Sequence, residues 1–218
     1  MTNDDVLYIE DENSRKLYYN FTPAPFLSNF APLLIILHDD EVVSPKHFEY
    51  KMWNVLTPID NFEHENKGSR WLGEEGDFYV KDLLQNLIKQ YADKLECEDH
   101  IYLYGNAMGG YGAILHGILC KANAVYAGAP YLRIQDKYDT VSKEYDLSHF
   151  LNLIDSFPIF YLCKQDNEVN DLEKDTVHFV ETCKKYDIKV HLDFCPEPGE
   201  GENNNLKKVL DMFEKEIT

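Results

Sequence analysis

Polar and apolar positions fall into two patterns that alternate along the chain. Leu33 to Leu37 (LLIIL), Ile101 to Tyr104 (IYLY), Ala124 to Ala127 (AVYA) and Phe157 to Cys163 (FPIFYLC) are continuous apolar runs. Such runs belong to strands covered on both faces of a parallel sheet. Between them the spacing turns helical: from Phe78 to Leu95, Val80, Leu83, Leu84, Leu87, Ile88 and Tyr91 recur every three or four residues. Further helices are predicted for the segment ending at Tyr186 and for Leu206 to Ile217, with a last strand at Lys189 to Phe194 (KVHLDF). At the front, Val6 to Ile9 and Lys16 to Phe21 flank the polar turn Asp11-Glu12-Asn13-Ser14 and predict a β-hairpin. Residues 42–70 read as irregular, and residues 135–156, charged and turn-rich, as a candidate cap or lid. Together these predict one α/β domain over residues 1–218, a mostly parallel sheet with helices on both faces.

The stretch from Ile101 to Leu119, IYLYGNAMGGYGAILHGIL, organises the rest. A strand runs into a glycine-dense turn, Gly105 to Gly112, and then into a helix. In serine hydrolases the G-x-S-x-G turn lifts its central residue to the top of the sheet, the glycines leaving room for the sharp bend. Here Gly105-Asn106-Ala107-Met108-Gly109 keeps both glycines and puts alanine in the nucleophile position. A methyl group cannot attack a carbonyl.

The remaining parts of such a site can be sought at the carboxyl ends of the other strands. After Leu37 come His38-Asp39-Asp40-Glu41. These residues are adjacent rather than at ligand spacing, which speaks against a metal site. In the hydrolase reading, the amides around Asp39 and Asp40 join that of Met108 as oxyanion donors, and the Asp39 and Asp40 side chains are incidental. Tyr131 and Arg133, just past the AVYA strand, are candidate substrate contacts, although a surface salt bridge explains Arg133 as well. Asp166, past Phe157–Cys163, stands where an acid would orient a histidine; a helix N-cap is the competing role. The loop after the last strand should hold that histidine, yet Glu200 lies between Gly199 and Gly201 in its place. His47, His64 and His191 are the other candidate bases, each with an ordinary packing or surface role as its alternative.

Composition narrows the partners. Against 21 Lys and Arg stand 39 Asp and Glu, a net charge of -18, so the surface repels phosphate backbones and anionic lipid, and nucleic acid is excluded as a partner. The five cysteines contain no C-x-x-C pair and read as reduced core residues. No stretch approaches the roughly 18 apolar residues of a membrane span, and no apolar leader follows a basic start, giving a cytoplasmic expectation. Nothing in the sequence asks for a cofactor.

The elbow GNAMGGYGAILHG, the upstream RWLGEEGDFYVKDLLQNLI and the loop LCKQDNEV resemble the small α/β hydrolases linked to bacterial surface polysaccharides, among them capsule O-acetyltransferases and the hydrolase-like domain of accessory-secretion proteins. The resemblance covers roughly residues 30 to 215. It implies an α/β-hydrolase fold and an esterase or O-acyltransferase acting on a carbohydrate ester. It aligns Ala107 with the serine, Asp166 with the acid and Glu200 with the histidine. With two of three positions changed, a non-catalytic binding or scaffolding module is the competing reading, as a homo-oligomer or beside an active polysaccharide enzyme. A third, Asp166 and Glu200 acting as paired carboxylates on water, leaves the elbow without a purpose.

Overall fold

The computed structural model describes residues 7–39, 48–60, 71–73, 76–132, 134, 142–151, 156–163, 170–192 and 202–217, excepting the side chains of residues 170–174 and 202–204. Among them, eight strands form one sheet: β1 (Leu7–Glu10), β2 (Lys16–Thr22), β3 (Leu33–Leu37), β4 (Asn54–Ile59), β5 (Ile101–Asn106), β6 (Ala124–Gly128), β7 (Ile159–Cys163) and β8 (Val190–His191). Their spatial order is β1-β2-β4-β3-β5-β6-β7-β8. β1 and β2 make the predicted hairpin, and β2 runs antiparallel to β4; every other pairing is parallel.

The all-apolar strands still alternate by period two. Leu33, Ile35 and Leu37 of β3 and Ile101 and Leu103 of β5 face one core, while Leu34, Ile36, Tyr102 and Tyr104 face the other. The first core packs under α1 (Tyr79–Leu95), α2 (Ala107–Leu119) and α4 (Asn170–Lys185). The second, rich in aromatics, packs Trp53, Tyr102, Tyr126 and Tyr161 against Leu206, Val209, Leu210 and Phe213 of α5 (Glu202–Ile217). Burial pushes the Tyr102 phenol up to about 12.

Strand β4 lies inside the stretch read as irregular. Its asparagine and proline look like breakers, but each has a place. The buried Asn54 amide accepts from Ala24 N–H (3.0 Å) and donates to the carbonyls of Ser28 (2.7 Å) and Ala31 (2.9 Å), tying down the loop before β3. Pro58 lies beyond the parallel ladder to β3, which ends at Leu56, and opposite Tyr19 on the other side. A missing N–H is tolerated where no ladder bond towards β3 is needed. A second correction concerns the glycine-dense segment: the helix takes over at Ala107, so Gly109, Gly110 and Gly112 are helical.

Within residues 135–156, the described part holds a 3-10 turn (Lys143–Tyr145) and α3 (Leu147–Phe150). Tyr145, Leu147 and Phe150 are buried in the first core. Tyr111 of α2 donates to the Glu144 carbonyl (3.1 Å), and Lys81 of α1 pairs with Glu144 (3.2 Å). The cysteines do not all stay reduced. Cys97, Cys120 and Cys183 are free, whereas Cys163, half-buried against the second core at the carboxyl end of β7, is disulfide-bonded. No described helix is long and apolar enough to cross a membrane.

Candidate active site

The strand order locates the site. After β3 the chain moves outward to β4 and then returns across β3 to β5. The connections leaving β3 and β5 therefore lead to opposite sides of the sheet, and in open α/β sheets the crevice for ligands lies at the carboxyl ends of two such strands.

At that point β5 ends with Asn106 extended (φ -122°, ψ 152°), Ala107 takes φ 48°, and α2 begins. This is the strand, left-handed residue and helix of a nucleophile elbow. For a residue carrying a Cβ, the left-handed region costs about 1–2 kcal/mol, so the surrounding structure must impose it. The two flanking glycines show how. A Cβ on Gly105 would lie 2.0 Å from the Gly109 carbonyl oxygen, and one on Gly109 would lie 2.2 Å from the Leu37 carbonyl oxygen. Without side chains at these positions, the first turn of α2 folds back against β5 and presses against the end of β3. Ala107 sits half-buried at the tip, beside an exposed Asn106 and a buried Met108.

The loop after β3 meets this turn directly. Met108 N–H donates to Asp39 Oδ1 at 3.2 Å, so the Asp39 side chain, read as incidental from the sequence, is a direct partner of the elbow. His38, in turn, uses both ring nitrogens. Asp60 N–H can only donate, so Nε2 accepts it (3.2 Å), which puts the proton on Nδ1, facing the Asp39 carbonyl at 2.7 Å. Trp71 closes the group: its indole N–H donates to the His38 carbonyl (3.3 Å), its ring stands edge-on to His38 at 4.9 Å, and its backbone N–H donates to Asp60 Oδ2 (2.9 Å). His38 thus positions the loop and has no nitrogen left to serve as a base.

Sequence reasoning missed the histidine beneath this arrangement. His116 of α2 is fully buried; its Nε2 donates to the Trp71 carbonyl (2.8 Å) and its Nδ1 accepts from Gln85 Nε2 of α1 (2.8 Å). Burial pushes its pKa down to about 4, so it stays neutral and structural. A polar residue in the middle of the apolar run AILHGIL was the available signal.

The structure thus brings Ala107, Met108 and Asp39 together. Tyr131 comes three residues after Gly128, the register partner of Asn106, and packs half-buried against the first core. Asp40, Arg133, Asp166, Glu200, His47 and His64 lie outside the described residues. His191 is a sheet residue: it pairs with Tyr161, and its ring stacks on that of Tyr161 at 4.8 Å and 11°. Three strand spacings of about 4.8 Å separate β8 from β5, too far for a base serving residue 107.

This fold is the α/β-hydrolase fold, and its structural neighbours include esterases and an acetyltransferase. The capsule O-acetyltransferase of Neisseria meningitidis serogroup A superposes with a TM-score of 0.66 over 98% of this chain and 97% of that one, at 15% identity. An S-formylglutathione hydrolase from Agrobacterium tumefaciens gives 0.67 over 97% and 93%, at 16% identity. Thermogutta terrifontis esterase 2 gives 0.65 over 97% and 92%, also at 16%. Identities this low establish the fold alone. No protein-family model and no curated protein matches the sequence.

Proposed function

We propose that this chain is a catalytically silent relative of the α/β-hydrolase esterases and acyltransferases, acting as a binding or scaffolding module for a carbohydrate ester or for a polysaccharide-modifying partner. The observation that carries the reading is Ala107: an intact elbow presents, at its strained tip, a side chain with no nucleophilic atom. The neighbours supply the chemical class, since esterases and a capsule O-acetyltransferase share the fold. Asp166 and Glu200, as the positions matching acid and histidine, belong to the same proposal, as do Tyr131 and Arg133 as ligand contacts. Replacing Ala107 by serine tests it. The Ala107→Ser protein should show neither p-nitrophenyl acetate turnover nor fluorophosphonate labelling above the unchanged chain, whereas Ala107→Ser with Glu200→His should gain labelling. Robust turnover from the single change would overturn the proposal.

One observation favours the other reading, an acyl-transferring enzyme lacking only its nucleophile. Ala107 is held at φ 48°, a conformation a scaffold could relieve with glycine. On that reading serine at 107 suffices for activity.

A further inference from the structure

We propose that Asp39 is a built-in occupant of the oxyanion position, and that its carboxylate makes the crevice refuse carbonyl oxygens and small anions. The inference deepens the functional reading above and rests on residue 107 being the nucleophile position. In an acyl-transferring site, the N–H following the nucleophile is left to meet the substrate oxygen as it becomes negative. Here that N–H, from Met108, already donates to Asp39 Oδ1 at 3.2 Å. The carboxylate provides what the N-terminus of α2 otherwise lacks. The Asn106 side chain makes no capping hydrogen bond, and the first turn of the helix contains no acid.

The contact is held from several sides. Bare Gly109 lets the first turn of α2 approach the Leu37 and His38 carbonyls, where a Cβ would lie at 2.2 and 2.8 Å. That approach brings Met108 N–H within reach of the residue after His38. His38 is fixed through both nitrogens, and Trp71 clamps it by ring packing and by a hydrogen bond to its carbonyl. A substrate oxygen would therefore have to displace a negative group that follows the anchored His38, and then remain beside it. Two negative oxygens near one N–H repel. Serine at 107 would attack into a site that steadies the product of the attack poorly, so residue 39 adds to the barrier set by residues 107 and 200.

The Met108 amide resonance in the 15N spectrum of the full chain reads this directly, with sodium formate as the probe at constant ionic strength. In the Asp39→Ala protein the resonance should move saturably, with an affinity at least about tenfold tighter than in the unchanged protein, a difference of about 1.4 kcal/mol. Asp39→Asn, which keeps an acceptor but no charge, should fall between the two. Equal responses with and without Asp39, or no response in a folded Asp39→Ala protein, would overturn the proposal. Should Asp39→Ala fail to fold, Asp39→Asn decides it: a response no larger than that of the unchanged chain would overturn it. Formate binding involves no chemistry, so the two readings separate. A flat titration with an inert Ala107→Ser protein removes only the Asp39 proposal, and ester turnover by Ala107→Ser with Asp39 intact removes both.

Discussion

At the carboxyl ends of β3 and β5 the polar groups in and under the crevice are partnered, whereas at the outer edge of the sheet not all are. In the first region Met108 N–H, both nitrogens of His38, both nitrogens of His116 and the Trp71 indole all have hydrogen-bond partners. In the second, β8 and α5 leave a groove of about 580 Å³ lined by Tyr161, His191, Asp211 and Met212 among others. Buried His191 Nε2 there has no hydrogen-bond partner among the described residues. The Tyr161 hydroxyl is satisfied by Glu216 (2.6 Å), while Asn205 Oδ1 of α5 is, like the His191 nitrogen, buried with no partner among the described residues. A fully satisfied network fixes a single geometry, and a loosely filled edge tolerates several. The chain has invested its polar specificity around an elbow that carries no nucleophile. That favours a binding surface kept in shape over an abandoned site left to drift.

The contrast would fail most visibly at Gly109. A Cβ there meets the Leu37 carbonyl oxygen at 2.2 Å, and both partners are backbone, so neither can move aside. Gly109→Ala should cost about 3 kcal/mol or more, in the range of severe backbone and packing lesions, and urea unfolding should show a large drop in midpoint. Retention of normal stability would mean that β3 and α2 are not in contact as described.

His116 gives the next largest effect and a pH signature. Its folded pKa of about 4 lies below the ordinary 6.5, so between these values the unfolded chain binds a proton that the folded chain does not. The neutral imidazole's contribution is complete above about pH 6.5 and is lost as pH falls towards 4, a change of about 3 kcal/mol. His116→Gln removes the titration. The stability difference between the two proteins, taken from urea unfolding at several pH values, should shrink steadily from pH 7 to pH 4.5. A constant difference would mean that His116 is solvated or charged in the folded state.

The two regions also differ in how far the sequence announced them. The elbow was legible because its glycines carry a steric message, and the strands around it because apolar runs report burial. β4 was hidden because Asn54 and Pro58 are breakers in isolation and become acceptable only through long-range partners, the loop at residues 23–31 and β2. The Asp39 contact was hidden for a similar reason. Sequence places an acid after β3, but only the approach of α2 at Gly109 turns it towards Met108. His116, likewise, is recognisable as structural only once Gln85 and Trp71 are seen beside it. Residues whose role is set by chain neighbours can be read from the sequence; those whose role is set 23 to 69 positions away cannot.

The smallest effect lies at the loose edge and has the opposite sign. His191 stacks on Tyr161 at 4.8 Å and keeps Nε2 buried without a partner among the described residues. An unpaired buried polar atom carries a desolvation cost, and replacing it with an apolar group of similar shape is neutral or stabilising. His191→Phe retains a flat ring against Tyr161 and removes the nitrogen, so it should leave stability unchanged or raise it by up to about 1 kcal/mol. Urea unfolding of this variant, set against His116→Phe, compares the same substitution at the two histidines. The His116 change breaks bonds to Gln85 and Trp71 and should destabilise, whereas the His191 change should not. A substantial loss at His191 would mean that its nitrogen is partnered after all and that the edge of the sheet is as tightly specified as the elbow.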